Sequence, residues 1–426
     1  MEFDRRKFIR NISALAGSLA LPTMMSKDLQ AAISPYQKLS SEDLAHEEDF
    51  WQLIKQAYTV SSTLLNLNNG GVSPQPKVVQ QAVERYNQLS NEAPSYYMWR
   101  ILDKGREEIR RKLADLAGCS PEEIAINRNT SEALETVIFG LRLKAGDEVV
   151  LTRQDYPNMI NAYKQRAHRE GIVLKFISFD FPTEDKEMIV QKFVSAFTAK
   201  TKIVHLTHMI NWCGQILPVK EIAAEAHQRG IEVVIDGAHT FAHLDYNIPD
   251  LGADYFGTSL HKWLCAPFGS GMLYVKKEKI KNLYPMFAGE KPESDNIRKF
   301  ESLGTRSFAI EQAIGQAVDF HQMIGSERKQ KRLHALKNYW MEKVKDLPKV
   351  KLLTSLHPEF GGAIGMLAIE GKTPAELDRF LYRKHRIHTV SINWENIHGL
   401  RITPNVYTLK KDLDRLVRGV KEFVEG

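Results

Sequence analysis

The stretch Ile231-Glu-Val-Val-Ile-Asp-Gly-Ala-His239 is the part of the sequence that most clearly indicates the fold. Its run Val233–Ile235 predicts a short buried strand, because β-branched residues are enriched in strands. A helical pattern, Val219–Arg229, stands directly before it. A helix that leads into a buried strand is typical of a parallel sheet with helical crossovers. The sequence therefore predicts that Asp236 stands at the carboxyl end of a parallel strand.

The same alternation of strands and helices extends over about residues 120–275. It predicts an α/β fold with a mostly parallel, seven-stranded sheet and helices on both faces. From about residue 310, a long helix, further strands and a final helix, Lys410–Val424, predict a smaller C-terminal α/β domain. The predicted strands of the large domain are Glu123–Ile126, Glu148–Thr152, Val173–Ile177, Lys202–Leu206, Ile231–Ile235, Tyr255–Thr258 and Gly271–Val275.

The composition excludes several classes of protein. With 43% hydrophobic and 26% charged residues in 426, the chain can bury a large core, and wholesale disorder is excluded. The net charge of +6 comes without a long Lys/Arg block, so no nucleic-acid partner is expected. Cys119, Cys213 and Cys265 lie far apart, which indicates neither a disulfide scaffold nor a zinc ribbon. A soluble α/β enzyme that acts on a small molecule is expected.

The first 31 residues resemble a twin-arginine export signal. Arg5 and Arg6 precede a weakly apolar stretch, Asn11–Pro22, which is too short to span a membrane as a helix. The alternative is an amphipathic N-terminal helix that stays with the protein. The signal predicts a periplasmic or exported protein, or a cytoplasmic one if it is not used, with no membrane contact apart from export. The predicted parts of the remaining chain are an N-terminal segment that packs with the small domain (32–65), the large domain (66–308) and the small domain (309–426).

Polar residues follow several of the predicted strands, where ligands bind in parallel α/β sheets. Lys262 stands among Trp, Leu, Ala, Pro and Phe, and partial desolvation lowers the pKa of an amine so that it can form a Schiff base. Asp236 can hold a pyridine nitrogen protonated, which lets pyridoxal phosphate accept the electrons of a carbanion. Asn129, Thr130 and Ser131 precede a helix, whose free N–H groups suit a phosphate dianion. Together these residues predict pyridoxal 5'-phosphate as the cofactor.

The order and context of these motifs resemble the class V aminotransferases of the fold-type I pyridoxal-phosphate enzymes. This group contains cysteine desulfurases, kynureninase-like enzymes and isopenicillin N epimerase. The resemblance covers about residues 60–426, and the stretch His261–Pro267 is most similar to the isopenicillin N epimerase-like branch. It implies a fold-type I enzyme that forms a homodimer. The motifs that carry it are Arg128–Leu134, Asp155–Asn158, Thr207–Gly214, Asp236–His239, Ser259–Lys262, Gly304–Arg306 and Leu400–Pro404.

The resemblance implies a role for each matching residue. Those that would bind the cofactor phosphate are Thr130, Ser131, Ser259, His261 and, in the neighbouring subunit of a dimer, Thr305. Those that would contact the cofactor ring are Tyr156 by stacking, Asn211 at the 3-hydroxyl, Asp236 at the pyridine nitrogen and His239 nearby. Lys262 would bond the cofactor and then remove the Cα proton of the substrate. Arg401 would bind the α-carboxylate of an amino-acid substrate, because a guanidinium is a bidentate partner for a carboxylate.

The step after Cα proton removal stays open at this stage. Similarity around Lys262 favours epimerisation, with transamination as the other outcome and a C–S (cysteine-type) lyase as the nearest alternative. A persulfide-forming desulfurase is not expected, because such enzymes carry a nucleophilic cysteine on a C-terminal loop. Residues 353–366 contain no cysteine, and none follows Cys265. The identity of the amino-acid substrate is not indicated.

Two other classes of protein are alternatives to a pyridoxal-phosphate enzyme. An exported nicotinamide oxidoreductase requires a glycine fingerprint, which the sequence lacks. A non-catalytic binding protein on the same scaffold would be expected to lose Lys262, Asp236 or Arg401, and all three are present. His239 and His243 have the spacing of a zinc-protease helix, but no glutamate follows the first histidine, so no metal is expected.

Overall fold

A computed structural model of the chain describes residues 24–426. The paired Arg5 and Arg6 of the predicted export signal therefore lie outside the described residues. The helix Met24–Ile33 includes the end of that predicted segment, and Ile33 is buried in a hydrophobic cluster. None of the described helices combines the length and apolar character that crossing a bilayer requires.

The described strands form three sheets. In chain order the strands are β1 (Leu65–Asn66), β2 (Ile124–Asn127), β3 (Glu148–Thr152), β4 (Val173–Ile177), β5 (Thr201–Thr207), β6 (Glu232–Asp236), β7 (Tyr255–Ser259), β8 (Gly271–Val275), β9 (Val350–Leu352), β10 (Gly365–Ile369), β11 (Ile387–His388), β12 (Val390–Trp394) and β13 (Ile397–Ile402). The largest sheet has seven strands in the order β2-β8-β7-β6-β5-β3-β4. Its neighbouring strands are parallel except at β8, which is antiparallel to both β2 and β7. The predicted mostly parallel, seven-stranded sheet is confirmed.

Helices cover both faces of this sheet. Adjacent residues of β3 show why, since Val149 and Leu151 pack into one hydrophobic cluster and Val150 into another. Side chains alternate between the faces of a strand, so both faces must be covered. The described α-helices are Met24–Ile33, Ser41–His46, Glu48–Gln56, Lys77–Glu92, Pro94–Tyr96, Asp103–Ala117, Thr130–Gly140, Pro157–Glu170, Lys186–Ala196, Val219–Gln228, Phe308–Ile324, Ser326–Val344, Pro374–His385 and Lys410–Glu425.

The C-terminal part has its own antiparallel sheet, in the order β12-β13-β10-β9. Leu367 and Leu400 on neighbouring strands pack with leucines of the helices Pro374–His385 and Lys410–Glu425 in one buried cluster. This arrangement confirms the predicted smaller C-terminal α/β unit. The opposite face of β12 and β13 is directed toward the large sheet, which is how the small unit contributes to the cavity described below.

The segment before β1 packs on helices of the C-terminal part. Arg332, in the helix Ser326–Val344, donates from Nη1 to the carbonyl of Ala45 at 3.0 Å and to Glu48 at 2.6 Å. Lys55 forms an ion pair with Asp412 at 2.7 Å. These contacts join the N-terminal segment to the helices Ser326–Val344 and Lys410–Glu425. The domain boundaries at residues 31, 65 and 308 stay predictions.

Candidate active site

A cavity of about 430 Å³ lies at the carboxyl ends of the parallel strands, between the large sheet and β12–β13. Ten of the eleven residues proposed from the sequence line it: Thr130, Ser131, Tyr156, Asn211, Asp236, His239, Ser259, His261, Lys262 and Arg401. The eleventh, Thr305, is exposed and does not line the cavity within this chain. A parallel sheet places its strand ends together, which is why residues far apart in sequence converge here.

One end of the cavity is built from hydroxyl groups at the start of the helix Thr130–Gly140. Asn129 caps this helix, and its side chain accepts from the N–H of Glu132 at 2.9 Å. The hydroxyls of Thr130 and Ser259 lie 2.7 Å apart. Gly271 allows the close approach of β8, because a Cβ there would lie 2.4 Å from the backbone nitrogen of Asn129. Hydroxyls beside a helix N-terminus form an environment suited to a phosphate.

Lys262 and Asp236 lie next to each other at the ends of β7 and β6. Burial lowers the pKa of Lys262 to about 8; the negative charge of Asp236 opposes this effect and Arg401 adds to it. Burial also raises the pKa of Asp236, opposed by the N–H of Ala238, which donates to Oδ1 at 2.9 Å, and by Lys262. An amine with a pKa near 8 has a substantial neutral fraction at neutral pH. Lys262 is therefore suited to act as a nucleophile and as a base.

His239 is held by Trp263 in one tautomer. The indole Nε1–H of Trp263 donates to His239 Nδ1 at 3.3 Å, and burial keeps the pKa of His239 well below its usual range. A neutral imidazole that accepts at Nδ1 carries its proton on Nε2. That Nε2 lies 3.2 Å from Lys262 Nζ, so His239 can donate to the neutral amine.

His243 stacks on the same tryptophan and has a structural role. Its ring centroid lies 3.9 Å from that of Trp263, Nδ1 donates to the carbonyl of His239, and Nε2 accepts from the N–H of Ala363 at 2.8 Å. Both ring nitrogens are thereby occupied. Within residues 24–426 no cluster of metal-ligating side chains occurs.

Replacing Trp263 by Phe should raise the pKa of Lys262. The substitution keeps the ring over His243 but removes the N–H that fixes His239, so Nε2 can become an acceptor that favours the lysine ammonium. Lys262 of the cofactor-free protein reacts with an added aldehyde, and borohydride reduction traps the product at each pH. We expect the pH midpoint of this reaction to be higher by about one unit in the variant. Trp212→Phe, which changes a cavity tryptophan without a bond to His239, is the matched control. An unchanged midpoint in Trp263→Phe would contradict the tautomer argument.

Arg401 is a buried cation without an anion. Nη1 donates to the carbonyl of Asn211 at 2.8 Å and Nη2 to the side chain of Asn68 at 3.0 Å, but Nε has no partner. No described carboxylate pairs with it. Burial lowers its pKa to about 10, so it remains charged at neutral pH. A buried, unpaired guanidinium is costly, and an anionic ligand would remove that cost.

Two residues that line the cavity have groups available to a ligand, namely the side-chain amide oxygen of Asn211 and the ring of Tyr156. The Oδ1 atom of Asn211 is buried and has no hydrogen-bond partner. The Tyr156 ring is 40% exposed and lies 6.4 Å from the Trp212 ring at an angle of 30°. A buried unpaired amide oxygen beside an open aromatic face fits a ligand that has both a hydroxyl group and a flat ring.

Thr305 lies in a loop that is held by its neighbour Arg306. Arg306 pairs with Glu311 at 2.5 Å and with Asp103 at 3.2 Å. The exposed position of Thr305 is compatible with a role outside the cavity of its own chain. Its predicted contact with the phosphate of a second subunit stays a prediction.

Trp212, Val390 and Ile392 also line the cavity and were not predicted from the sequence as site residues. The alternation Val390-Ser-Ile-Asn-Trp394 is a signal for a strand with one apolar face. Nothing in that pattern indicates which surface the apolar face contacts, because this depends on pairing with β13.

The fold together with a buried lysine, carboxylate and arginine in one cavity defines a pyridoxal-phosphate enzyme of fold type I. The chain belongs to the aminotransferase class-V family, whose model matches residues 65–414. Pyridoxal 5'-phosphate is the cofactor of this family, as the sequence predicted.

The relatives include isopenicillin N epimerases and cysteine desulfurases. An isopenicillin N epimerase from Streptomyces clavuligerus is 29% identical over 385 residues, which cover 86% of this chain and 96% of that protein. A probable cysteine desulfurase from Halalkalibacterium halodurans is 28% identical, covering 85% of this chain and 94% of the other. The structure of an apo cysteine desulfurase from Thermococcus onnurineus NA1 matches with a TM-score of 0.78 at 23% identity, covering 88% and 98% of the two chains. This structural match shows the shared fold.

Proposed function

We propose that this protein acts at the Cα of an amino acid or a derivative of one, with isopenicillin N epimerase-like epimerisation or transamination as the outcome. The observation that carries the proposal is the combination of Lys262, with its lowered pKa, and the unpaired Arg401 in one cavity. Lys262 would hold an aldehyde cofactor that can bond the amino group of an α-amino acid, and Arg401 would bind its carboxylate.

The cavity fits the cofactor of the family. Its unpaired Asn211 oxygen suits the ring hydroxyl, and the hydroxyls of Thr130, Ser131 and Ser259 suit the phosphate. The His261 ring joins this end and donates from Nδ1 to the carbonyl of Ser270 at 2.9 Å, which holds the ring in place. These residues, with Lys262 as the covalent attachment point, would hold pyridoxal phosphate.

When bound, the cofactor supplies an electron sink for negative charge that develops at Cα. The residues of the chain then have separate tasks. Arg401 binds and orients the substrate carboxylate, while Lys262 accepts the Cα proton once its amine is free. Asp236, at the buried end of β6, would keep a proton at the pyridine nitrogen by its negative charge, which the N–H of Ala238 and the charge of Lys262 favour against the effect of burial. The aromatic rings of Tyr156 and Trp212 form one side of the cavity.

The branch after proton removal is proposed as epimerisation, on the similarity of His261–Pro267 and the epimerase relatives. A C–S lyase is the second candidate, because cysteine desulfurases are among the relatives. The absence of any cysteine after Cys265 weighs against the persulfide-forming version of that reaction. A non-catalytic binding role is disfavoured by the lowered pKa of Lys262, since ligand binding alone does not require a reactive amine.

The decisive experiment incubates the cofactor-loaded protein with L-amino acids in D₂O. Deuterium at Cα of the recovered amino acid, measured by NMR, reports proton removal that is followed by reprotonation at Cα. Chiral chromatography for the D-isomer, a hydrazine assay for keto acids, and a sulfide assay with cysteine then separate the three branches. D-isomer formation supports the proposal, and sulfide release without exchange products supports the lyase. If no amino acid gave deuterium incorporation, a D-isomer, a keto acid or sulfide, the proposed activity would be wrong.

Cofactor loading should depend on pH through Lys262. Only the neutral amine bonds an aldehyde, and with a pKa of about 8 its fraction rises about tenfold per pH unit below pH 8. We expect the rate at which cofactor-free protein binds pyridoxal phosphate to rise between about pH 6 and pH 8 and then to level off. Stopped-flow absorbance measures this rate. A rise that continues to about pH 10 would indicate a lysine with an ordinary pKa.

A homodimer is proposed from the Gly304-Thr-Arg306 motif and the exposure of Thr305. In that assembly the Thr305 hydroxyl donates to the phosphate bound in the neighbouring subunit. Light scattering should give twice the mass of the chain, and Thr305→Ala should weaken cofactor binding by about tenfold. A monomeric mass, or a Thr305→Ala variant that binds the cofactor as tightly as the unsubstituted protein, would contradict this assembly.

Export by the twin-arginine route is proposed from Arg5 and Arg6. This route carries folded chains, which suits a protein that acquires its cofactor before crossing. Replacing both arginines by lysine keeps the charge and should retain the protein in the cytoplasm. Cell fractionation measures this, and a variant that is still exported would contradict the proposal.

A further inference from the structure

We propose that Trp212, Val390 and Ile392 form a side-chain subsite, and that the substrate is an α-amino acid with one carboxylate and an uncharged, apolar side chain. This inference rests on the proposed function, because it assumes that Arg401 binds the α-carboxylate. It goes further by naming the class of substrate, and it follows from strand register, ring stacking and the charges that line the cavity.

The register of β12 and β13 places the apolar residues beside Arg401. Val390 pairs directly with Arg401 in this antiparallel ladder, and directly opposed side chains lie on the same face. Ile392 and Trp394 follow Val390 at intervals of two, so they share that face. Ser391 and Asn393 are directed to the other face. A substrate whose carboxylate is on Arg401 therefore has an apolar stripe next to it.

The stripe ends on a pair of stacked tryptophans. The rings of Trp212 and Trp394 lie 5.3 Å apart at an angle of 24°. Their indole N–H groups donate to consecutive carbonyls, Trp212 to Gln154 at 3.0 Å and Trp394 to Arg153 at 3.1 Å. The polar edge of each ring is thus satisfied, and flat apolar surface remains toward the cavity. The stack also joins the small sheet to the large one, so the subsite has fixed walls.

Each charged side chain in the cavity already has a proposed role toward the cofactor or the α-carboxylate. Among the described residues that line it, the charged side chains are Lys262, Asp236 and Arg401. His239 and His261 have pKa values that are lowered by burial, which favours their neutral forms. No lining side chain is left to pair with a second charge on the substrate. A charged substrate side chain would lose its hydration against Val390 and Ile392 without gaining a partner, whereas an apolar one gains free energy by burial.

The test measures binding by the visible absorption band of the cofactor-loaded protein. The band is titrated with L-leucine and L-norvaline, and with L-glutamate and L-lysine as charged amino acids of comparable length. Leucine should bind at least about tenfold more tightly than glutamate. Val390→Arg should reverse this preference by adding a cation beside the subsite. Ser391→Arg, which adds the same charge on the opposite face of β12, is the matched control and should keep the leucine preference.

The outcomes separate the two proposals. Tighter binding of leucine, with reversal in Val390→Arg alone, supports the apolar subsite. Glutamate or lysine binding as tightly as leucine in the unsubstituted protein overturns the subsite and leaves the proposed function standing. If no amino acid changes the band, the proposed function fails, and the subsite fails with it. Circular dichroism of both variants checks their folding, and the comparison among amino acids in the unsubstituted protein does not depend on either variant.

Discussion

Lys262→Ala should lower kcat/KM by about 10⁴-fold or more and should abolish the borohydride-stable link between protein and cofactor. Lys262 has two tasks in the proposed mechanism, as the covalent attachment point and as the base at Cα, and a positioned base alone contributes about 10²–10⁴-fold. The measurement combines the visible spectrum before and after borohydride with mass spectrometry of the reduced, digested protein. The reduced cofactor should be found on Lys262 in the unsubstituted chain.

Lys299→Ala is the matched control for this substitution. Burial lowers the pKa of Lys299 to about 8, as it does for Lys262, but Lys299 Nζ donates to the carbonyls of Ile280 and Pro292 outside the cavity. This variant should keep both the absorption band and the turnover. If Lys299→Ala lost the link and Lys262→Ala kept it, the assignment of the reactive lysine would be wrong.

Arg401→Lys should lower kcat/KM for amino acids by about 10²-fold or more, chiefly through KM. Lysine keeps the positive charge but not the planar fork, so it cannot offer two parallel N–H groups to a carboxylate. Removing one partner of a buried, hydrogen-bonded charge pair costs about 2–5 kcal/mol. Steady-state kinetics with one amino acid at varied concentration measures the effect. Cofactor affinity should not change, because Arg401 is assigned to the substrate.

Arg153→Lys is the control for the arginine substitution. Arg153 is exposed after β3, and only its backbone carbonyl contacts the cavity wall, by accepting from Trp394. Its KM should match that of the unsubstituted enzyme. An unchanged KM in Arg401→Lys would mean that the α-carboxylate binds elsewhere. The proposed side-chain subsite would then also be wrong, because it assumes a carboxylate on Arg401.

The local sequence pattern was sufficient to predict most strands of the central sheet. Glu148–Thr152, Val173–Ile177 and Gly271–Val275 were predicted with the bounds that the structure has, because each is a β-branched or apolar run between polar residues. The helix Lys186–Ala196 was not predicted. Only Ile189 and Phe193 of this helix are buried, so its apolar periodicity is weak, and packing on the sheet stabilises it more than its own pattern does.

The sequence by itself determined the chemical inventory of the site. Lys262, Asp236 and Thr130 each follow a strand pattern, and strand ends in a parallel sheet converge at one edge. Their meeting in one cavity could therefore be expected from local signals alone. Resemblance to a family gave Asn211, which also follows a predicted strand, its role, and it added Arg401, which no local pattern distinguishes.

Only the tertiary structure decided the pKa values and hydrogen-bond partners of those residues and the side chains that surround them. The missing anion at Arg401, the tautomer of His239 set by Trp263, and the apolar face of β12 all depend on contacts between segments distant in sequence. A strand pattern predicts that Val390 and Ile392 share a face, but pairing with β13 decides that this face lies beside Arg401. The physical reason is that burial and partner choice, which set pKa and specificity, arise only when the two sheets close around the cavity.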